Sequence, residues 1–214
     1  MTPSKSKRSD FFLQNVSFLK STTNASNFPS SEIPEIAIVG RSNAGKSSVL
    51  NTVCRRKQLA HTSKTPGKTQ LINFFSIHNN LNEVARLVDL PGYGYAKVNK
   101  STKIFWKESL LKFLSERKNL IGIIVVTDLR HPLGKLDHEL FASLTHRVLF
   151  FHILFNKSDK LNKSDQSRNV DNAIRNFNGQ FLNLKKEVSH STFSSSKKKG
   201  VEELLSVLEK WLNH

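Results

Sequence analysis

"EIAIVGRSNAGKSSVL" (residues 35–50) contains the pattern that decides the fold: an apolar run, a glycine-containing turn and an amphipathic segment. The apolar run predicts a buried strand over 35–39, and the amphipathic segment predicts a helix over 46–54. Gly40, Gly45, Lys46 and Ser47 match the spacing G-x-x-x-x-G-K-[ST]. Between a strand and a helix, this spacing indicates a phosphate-binding loop, because glycines let successive backbone N–H groups surround phosphate oxygens.

The chemistry of this loop points to a nucleoside triphosphate with a divalent cation. The helix that follows adds positive partial charge at its N-terminus. Lys46 has the length to reach the β- and γ-phosphates, and the Ser47 hydroxyl is a ligand for Mg²⁺.

The rest of the chain alternates strands and helices, which predicts a doubly wound sheet. Further strands are expected at 71–77 and 84–90 (a hairpin), 120–128, 148–156 and 187–193, and helices at 103–116, 133–144, 165–177 (with Ser164 as N-cap) and 201–213. The predicted fold is an α/β three-layer P-loop NTPase. Its mostly parallel six-stranded sheet has one antiparallel edge strand and helices on both faces. Residues 33–214 would form this domain, and residues 1–32, rich in Ser, Asn, Thr and Lys, a flexible basic tail.

"NKSD" (156–159) follows a predicted buried strand about 110 residues after the phosphate loop, and it indicates which base is bound. The Asp159 carboxylate is suited to accept from N1–H and the 2-amino group of guanine, two donors that adenine lacks. Asn156 is expected to anchor the phosphate loop and to contact N7, while the Lys157 stem covers the base plane. "FSSS" (193–196), at another strand end, offers a backbone N–H to guanine O6. A generic P-loop ATPase is the alternative that "NKSD" argues against.

"DLPG" (89–92) also follows a predicted strand and has the properties of a switch loop. Asp89 is placed to hold Mg²⁺ through water, and the Gly92 N–H to bond the γ-phosphate, so loss of that phosphate would release the loop. In the long loop before residue 71, Thr69 is the expected Mg²⁺ ligand of the closed state, and Thr65 is its rival.

Charge and cysteine content restrict the class of protein. The chain has 214 residues, with 33 Lys and Arg against 17 Asp and Glu, a formal net charge of +16. This excess favours a polyanionic partner, although a basic surface that only aids solubility is the alternative. The single cysteine, Cys54, is expected to be a small buried hydrophobe in a reducing, cytoplasmic compartment. No apolar stretch reaches the roughly 18 residues that a membrane span requires.

Taken together, these residues resemble a translation-factor-related GTPase of the EngB (YihA/YsxC) family, within the TrmE-Era-EngA-EngB-Septin-like superfamily. The resemblance runs from about residue 33 to the C-terminus, and "KTPGKTQLINFF" and "LVDLPGYGYAKV" are its most specific stretches. It implies a Ras-like G domain and a monomeric, Mg²⁺-dependent GTPase that acts in assembly of the large ribosomal subunit and is linked to normal cell division and septation.

The resemblance also assigns residues to the nucleotide. Those expected to contact GTP or GDP are Gly40, Arg41, Ser42, Asn43, Ala44, Gly45, Lys46, Ser47, Ser48, Gly67, Lys68, Thr69, Gln70, Leu71, Asp89, Leu90, Pro91, Gly92, Asn156, Lys157, Ser158, Asp159, Phe193, Ser194 and Ser195. The expected Mg²⁺ ligands are Ser47, Thr69 and Asp89. The groups expected to act in hydrolysis are Lys46, Asn43, Thr69 and Gly92.

Two positions bear on the rate of hydrolysis. Tyr93 stands where Ras-like GTPases carry the glutamine that orients water, so slow intrinsic hydrolysis is expected. Asn43 occupies the position at which similar GTPases bind K⁺, an ion that would supply the charge of an arginine finger. The alternative is that Asn43 only tolerates a left-handed turn.

Two functions are compatible with such a switch. In the first, the GTP form docks on the large ribosomal subunit, with Lys97, Lys100, Lys103 and Lys107 beside the second switch and "SKKKG" (196–200) near the base-reading loop. In the second, the GTP form recruits division machinery and has no direct ribosomal role.

Overall fold

The computed structural model describes residues 15–30, 32–60, 71–94, 110–147, 149–181 and 188–213. The strands are β1 (Val16–Thr22), β2 (Glu35–Gly40), β3 (Ile72–Asn79), β4 (Asn82–Asp89), β5 (Leu120–Asp128), β6 (Phe150–Asn156) and β7 (Val188–Thr192). The helices are α1 (Lys46–Val53), α2 (helical over 110–116 of the described chain), α3 (Lys135–Ser143), α4 (Lys163–Gln180) and α5 (Val201–Leu212).

The strands form one seven-stranded sheet in the order β1-β3-β4-β2-β5-β6-β7. The mostly parallel α/β architecture is therefore confirmed, with β4, β2, β5, β6 and β7 running parallel to one another. The expected count of six strands was one too low. The expected antiparallel edge is present and involves two strands, because the edge strand β1 pairs antiparallel with β3 and β3 pairs antiparallel with β4.

Two hydrophobic clusters make the three layers. On one face of the sheet, α2, α3 and α4 contribute Phe113, Phe141 and Phe177 to the first cluster. On the other face, α1 and α5 contribute Leu50 and Trp211 to the second. The central strands β2, β5 and β6 are almost wholly buried, because each is covered by helices on both sides.

The expectation that residues 1–32 form a flexible tail is wrong for the part that the structure describes. Val16 is buried, and the Phe18 ring meets Phe75 of β3 edge-on at 5.9 Å between centroids. Polar residues interrupt the apolar ones here because an edge strand buries only some of its side chains. Residues 1–14 lie outside the described chain.

Details of the helices also differ from expectation. The N-cap of α4 is Asn162 rather than Ser164, since its side chain accepts from the Asp165 N–H at 2.8 Å. Of the predicted helix 103–116, residues 110–116 are helical and bury Leu110, Phe113 and Leu114, whereas 103–109 lie outside the described residues. Cys54 is buried as expected, and burial raises the pKa of its thiol to about 12, so it is not a reactive nucleophile. Among the described helices, none has the length and apolar character to cross a membrane.

The register of the central strands positions the candidate site. Ile38 of β2 lies opposite Asp89 of β4 on one side and opposite Ile124 of β5 on the other. The carboxyl ends of β2, β4 and β5 therefore meet at one edge, where open α/β sheets bind their ligands.

His152 of β6 is a buried histidine whose ring contacts two serines of β7. Its Nδ1 lies 2.8 Å from the Ser189 hydroxyl and its Nε2 lies 2.8 Å from the Ser191 hydroxyl. Burial, aided by the nearby His190, lowers the pKa of His152 from 6.5 to about 4.

This lowered pKa predicts a loss of stability in acid. Between pH 6.5 and 4 the unfolded chain binds a proton at His152 that the folded chain excludes, so stability falls as the pH falls. Relative to His152→Gln, the native protein is expected to lose about 2 kcal/mol more of its unfolding free energy between pH 7 and pH 4.5. Urea denaturation at both pH values measures this difference. His146→Gln, a replacement of an exposed histidine, should keep the native pH dependence, and an identical dependence in His152→Gln would contradict the assignment.

Candidate functional site

The loop between β2 and α1 is shaped by its two glycines. A Cβ on Gly40 would lie 2.2 Å from the Val126 carbonyl oxygen, and one on Gly45 would lie 2.4 Å from Nδ2 of Asn156. Gly45, at φ +99°, and Asn43, at φ +67°, both adopt left-handed backbone conformations. The loop is therefore a turn that admits no side chain at either glycine, as a backbone cradle for phosphates requires.

Lys46 and Asp89 lie together beneath this loop. The Lys46 ammonium donates to the Gly40 carbonyl oxygen at 3.3 Å. Burial lowers the pKa of Lys46, and the nearby Asp89 carboxylate opposes that shift. Burial raises the pKa of Asp89 to about 6, opposed by Lys46 and by a hydrogen bond from Asn73. Both shifts arise from burial away from water. A bound ligand of opposite charge would stabilise the charged form of each group.

The residues present fit a divalent cation. Asp89 is 2% exposed, and its Oδ1 has no hydrogen-bond partner among the described residues. A buried carboxylate oxygen without a partner is costly unless a ligand satisfies it. Ser47, the second residue of α1, supplies the hydroxyl that such a cation takes from a phosphate loop.

The "DLPG" segment is docked on the phosphate loop. A Cβ on Gly92 would lie 2.8 Å from the Lys46 ammonium and 3.0 Å from the Ser42 Cα, so a side chain here would require Lys46 and Ser42 to shift. The Ser42 N–H donates to the Tyr93 carbonyl oxygen at 2.7 Å, and Arg41 forms a parallel β-bridge with Tyr93. Leu90 is buried and its N–H donates to Ile38 of β2. Gly92 is thus held beside the lysine that is expected to contact the γ-phosphate.

"NKSD" connects the phosphate loop to the far side of the site. Asn156 is buried, and its Nδ2 donates to the Ala44 carbonyl oxygen at 2.9 Å. The Lys157 ammonium donates to the Asn43 carbonyl oxygen at 2.6 Å and to Oδ2 of Asp128 at 2.9 Å. Two side chains of the motif therefore hold the loop from one side.

"FSSS" is joined to "NKSD" by backbone and side-chain hydrogen bonds. The Ser158 N–H donates to the Phe193 carbonyl oxygen at 3.0 Å, and the Ser194 hydroxyl donates to Oδ1 of Asp159 at 2.6 Å. The hydrogen bond from Ser194 is the main cause that lowers the pKa of Asp159. Asp159 is therefore an anion at neutral pH, with one oxygen held by Ser194.

The structure describes 21 of the 25 residues expected at the nucleotide, while Gly67, Lys68, Thr69 and Gln70 lie outside the described chain, as does Thr65. Leu71 is exposed and directly precedes β3. Ser48 and Ser195 line one cleft of about 830 Å³. The predictions about Thr69 and Thr65 stay predictions.

Sequence reasoning missed two aspartates. Asp128 ends β5, where Lys157 and Arg130 both contact it; burial alone would raise its pKa, but these two cations hold it well below its usual range. Asp137, in the first turn of α3, is fully buried and accepts the Tyr93 hydroxyl. The position of Asp128 at a strand end was a readable signal, whereas nothing in the sequence pairs Asp137 with Tyr93.

The fold and this site define a P-loop nucleotide-binding protein, and residues 35–157 match the family model described as 50S ribosome-binding GTPase. Relatives named "Probable GTP-binding protein EngB" come from Laribacter hongkongensis (41% identity over 198 residues, covering 92% of this chain and 86% of the relative) and Escherichia coli O157:H7 (42% over 203 residues, covering 94% and 91%). The chain belongs to the EngB family of GTP-binding proteins and is a GTPase.

Solved structures share the fold. The crystal structure of a probable GTP-binding protein engB superposes with a TM-score of 0.63 at 20% identity, covering 84% of this chain and 98% of that one. Era, solved in complex with MgGDPNP and nucleotides 1506-1542 of 16S ribosomal RNA, gives a TM-score of 0.63 at 22% identity, covering 85% of this chain and 57% of that one.

Proposed function

We propose that this GTPase is a molecular switch in assembly of the large ribosomal subunit, required for normal cell division and septation. The observation that carries the proposal is the match of residues 35–157 to a family described as ribosome-binding GTPases. The formal net charge of +16 supports it, because ribosomal RNA presents a dense array of phosphates. The switch would act as a cytoplasmic monomer with no membrane partner.

In this proposal separate groups of residues bind the base, the phosphates and the metal ion of the nucleotide. Asp159 and the loop of Phe193, Ser194 and Ser195 read guanine, and the phosphate loop from Gly40 to Ser48 surrounds the phosphates. Ser47 and Asp89, with Thr69 only in the GTP state, hold Mg²⁺, which neutralises phosphate charge when bound. Gly92 donates its N–H to the γ-phosphate, so "DLPG" senses whether that phosphate is present.

Intrinsic hydrolysis is proposed to be slow. Tyr93 takes the place of the water-orienting glutamine, and its hydroxyl is bonded to Asp137 in the described state. Asn43 adopts the left-handed conformation that the turn requires, which satisfies the purely structural explanation of this residue. A K⁺ ion beside Asn43 stays a separate prediction, since the backbone conformation is compatible with both.

The proposal predicts that binding to large ribosomal subunits depends on the nucleotide. A non-hydrolysable GTP analogue should increase co-sedimentation relative to GDP, because only the γ-phosphate engages Gly92. If lysines meet RNA phosphates, affinity should fall with salt at a log–log slope of roughly −0.7 to −0.9 per contact. Replacing Lys97, Lys100 and Lys103 together with Ala should reduce both the affinity and the slope, with GTP affinity nearly unchanged.

The outcomes of this experiment separate the competing functions. Equal co-sedimentation with GDP and with the analogue would show that ribosome binding does not depend on the nucleotide, which contradicts a switch. No binding to large subunits in either state would favour the recruitment of division machinery instead. A triple variant with native affinity and slope would exclude these three lysines as the RNA contact.

A further inference from the structure

Tyr93 is anchored at both ends. Its carbonyl oxygen accepts the Ser42 N–H of the phosphate loop at 2.7 Å. Its hydroxyl donates to Oδ1 of Asp137 in α3. Gly92 immediately precedes this anchored residue and lies against Lys46. The direction of the Gly92 N–H is therefore constrained by what holds Tyr93.

Asp137 is built to receive that hydroxyl. The residue is 0% exposed, and its second oxygen, Oδ2, accepts the Gly134 N–H at 2.8 Å at the start of α3. Its carboxylate is thus fixed in orientation by the helix it belongs to. Burial and the Asp137 carboxylate raise the pKa of Tyr93 well above its usual value, so the hydroxyl stays a donor at neutral pH.

Arg41 completes the cluster from the phosphate loop. Its Nη1 would lie 3.3 Å from a Cβ on Gly134, and its Nε 3.7 Å from one on Gly94. Two glycines therefore leave space for this guanidinium between the switch segment and α3. Its positive charge acts on both Tyr93 and Asp137, opposing the rise in their pKa values.

We infer that Asp137 is a positioning residue for the GTP state: through Tyr93 it holds the Gly92 N–H in place for the γ-phosphate. The inference rests on the proposed contact between Gly92 and that phosphate. A donor held in place before the ligand arrives costs little to organise on binding, whereas a loosened segment must first be ordered. Because GDP has no γ-phosphate, Asp137 should affect GTP binding and leave GDP binding unchanged.

Nucleotide titrations of Tyr93→Phe and Asp137→Ala test this difference. Each variant is expected to bind a non-hydrolysable GTP analogue about tenfold more weakly, since a hydrogen bond to a charged group contributes about 1.4 kcal/mol or more. GDP affinity should stay within about twofold of native, which lies inside the scatter expected for substitutions away from the bound groups. The double variant should be no weaker than either single variant, because both remove one interaction. Asp137→Asn keeps the shape of the side chain and should recover part of the GTP affinity.

Thr127→Val is the matched control. The Thr127 hydroxyl accepts the Leu133 N–H at 3.1 Å, so its loss weakens the same region without touching Tyr93. This variant should lower thermal stability and leave the ratio of GTP to GDP affinity unchanged. A residue with only a structural role in α3 would behave like Thr127.

A second measurement follows Tyr93 directly. The chain has two tyrosines, Tyr93 and Tyr95, so Tyr95→Phe leaves one ring for labelling with 3-fluorotyrosine. In this background the fluorine resonance of Tyr93 should shift in Asp137→Asn and stay in place in Thr127→Val.

The results distinguish this inference from the proposed function. Native GTP affinity in both Tyr93→Phe and Asp137→Ala, or an unmoved resonance in Asp137→Asn, would overturn the positioning role. Equal loss of GDP and GTP binding would also overturn it, because the defect would then be structural. A native protein that binds neither nucleotide would instead contradict the proposed site itself.

Discussion

Replacing Asp159 with asparagine is expected to convert guanine preference into xanthine preference. A carboxylate accepts from both N1–H and the 2-amino group of guanine, whereas asparagine presents one donor group that faces that amino group. Xanthine carries a carbonyl at position 2, which accepts from the new amide. Because a site built for specific hydrogen bonds rejects a mismatched analogue strongly, the ratio of GTP to xanthosine triphosphate affinity should change by roughly 10⁴-fold.

The structure also indicates how an asparagine side chain at position 159 would be oriented. The Ser194 hydroxyl donates to Oδ1 of Asp159 at 2.6 Å, and it can donate to an amide oxygen but not to an amide nitrogen. Ser194 therefore orients the asparagine amide, with its oxygen toward Ser194 and its NH₂ at the second position. Ser194→Ala in the Asp159→Asn background should reduce the xanthine preference by removing that orientation.

Competition binding with GTP, ATP and xanthosine triphosphate measures the change. Asp171→Asn removes the same charge from an exposed position on α4 and should leave the preference native. Equal binding of ATP and GTP by the native protein would reject the assignment of Asp159. If Asp159→Asn kept the guanine preference, a residue other than Asp159 would have to recognise the base.

Replacing Glu35 with alanine is expected to cause the largest loss of stability. Glu35 is 0% exposed at the start of β2. Its carboxylate accepts hydrogen bonds from Nε of Arg117 at 2.8 Å and from Nη2 at 2.7 Å. Arg86, also buried, lies 3.4 Å from the same carboxylate. Removing the anion takes the carboxylate away from Arg117 and leaves Arg86 with Glu83 alone, and breaking a buried ion pair in this way costs about 3–5 kcal/mol.

Thermal and urea denaturation of Glu35→Ala measure this loss, and a chain of this size should melt about 10 °C lower. Glu83→Ala is the matched control, because Glu83 also pairs with Arg86 but is partly exposed. Its loss should be distinctly smaller, because Glu83 is itself partly exposed and Arg86 keeps Glu35 as a carboxylate partner. Nucleotide affinity should persist at low temperature, because Glu35 lies at the opposite end of β2 from the phosphate loop. Equal losses in the two variants would show that burial of Glu35 does not dominate.

The ion-pair network around Glu35 could not be predicted from the sequence, because part of it involves the N-terminal segment. Arg117 also donates to the Pro29 carbonyl oxygen at 2.8 Å, and its guanidinium lies over the Phe28 ring at 5.6 Å. These partners are 88 and 89 positions before Arg117 in the chain, in a segment whose composition is typical of a flexible tail. The segment is ordered because β3 offers an unpaired edge and Arg117 offers a contact, and neither is visible from residues 1–32.

The sequence by itself determined the phosphate loop, the alternation of strands and helices, and the family. The reason is that these features are local: a buried parallel strand must be continuously apolar, and a phosphate cradle needs glycines at fixed spacing. The predicted carboxyl ends of β2, β4 and β6, at 39, 90 and 156, therefore lie within one residue of the observed ends at 40, 89 and 156. Their motifs meet because parallel strands bring their carboxyl ends to one edge.

Only the tertiary structure decided which residues from distant segments support those motifs. Asp137 meets Tyr93 across 44 positions, and Asp159 meets Ser194 across 35. β1 pairs with β3 although the whole phosphate-loop segment lies between them in the sequence. Such contacts depend on strand order and on the space that the helices leave, and no local period in the sequence records either of them.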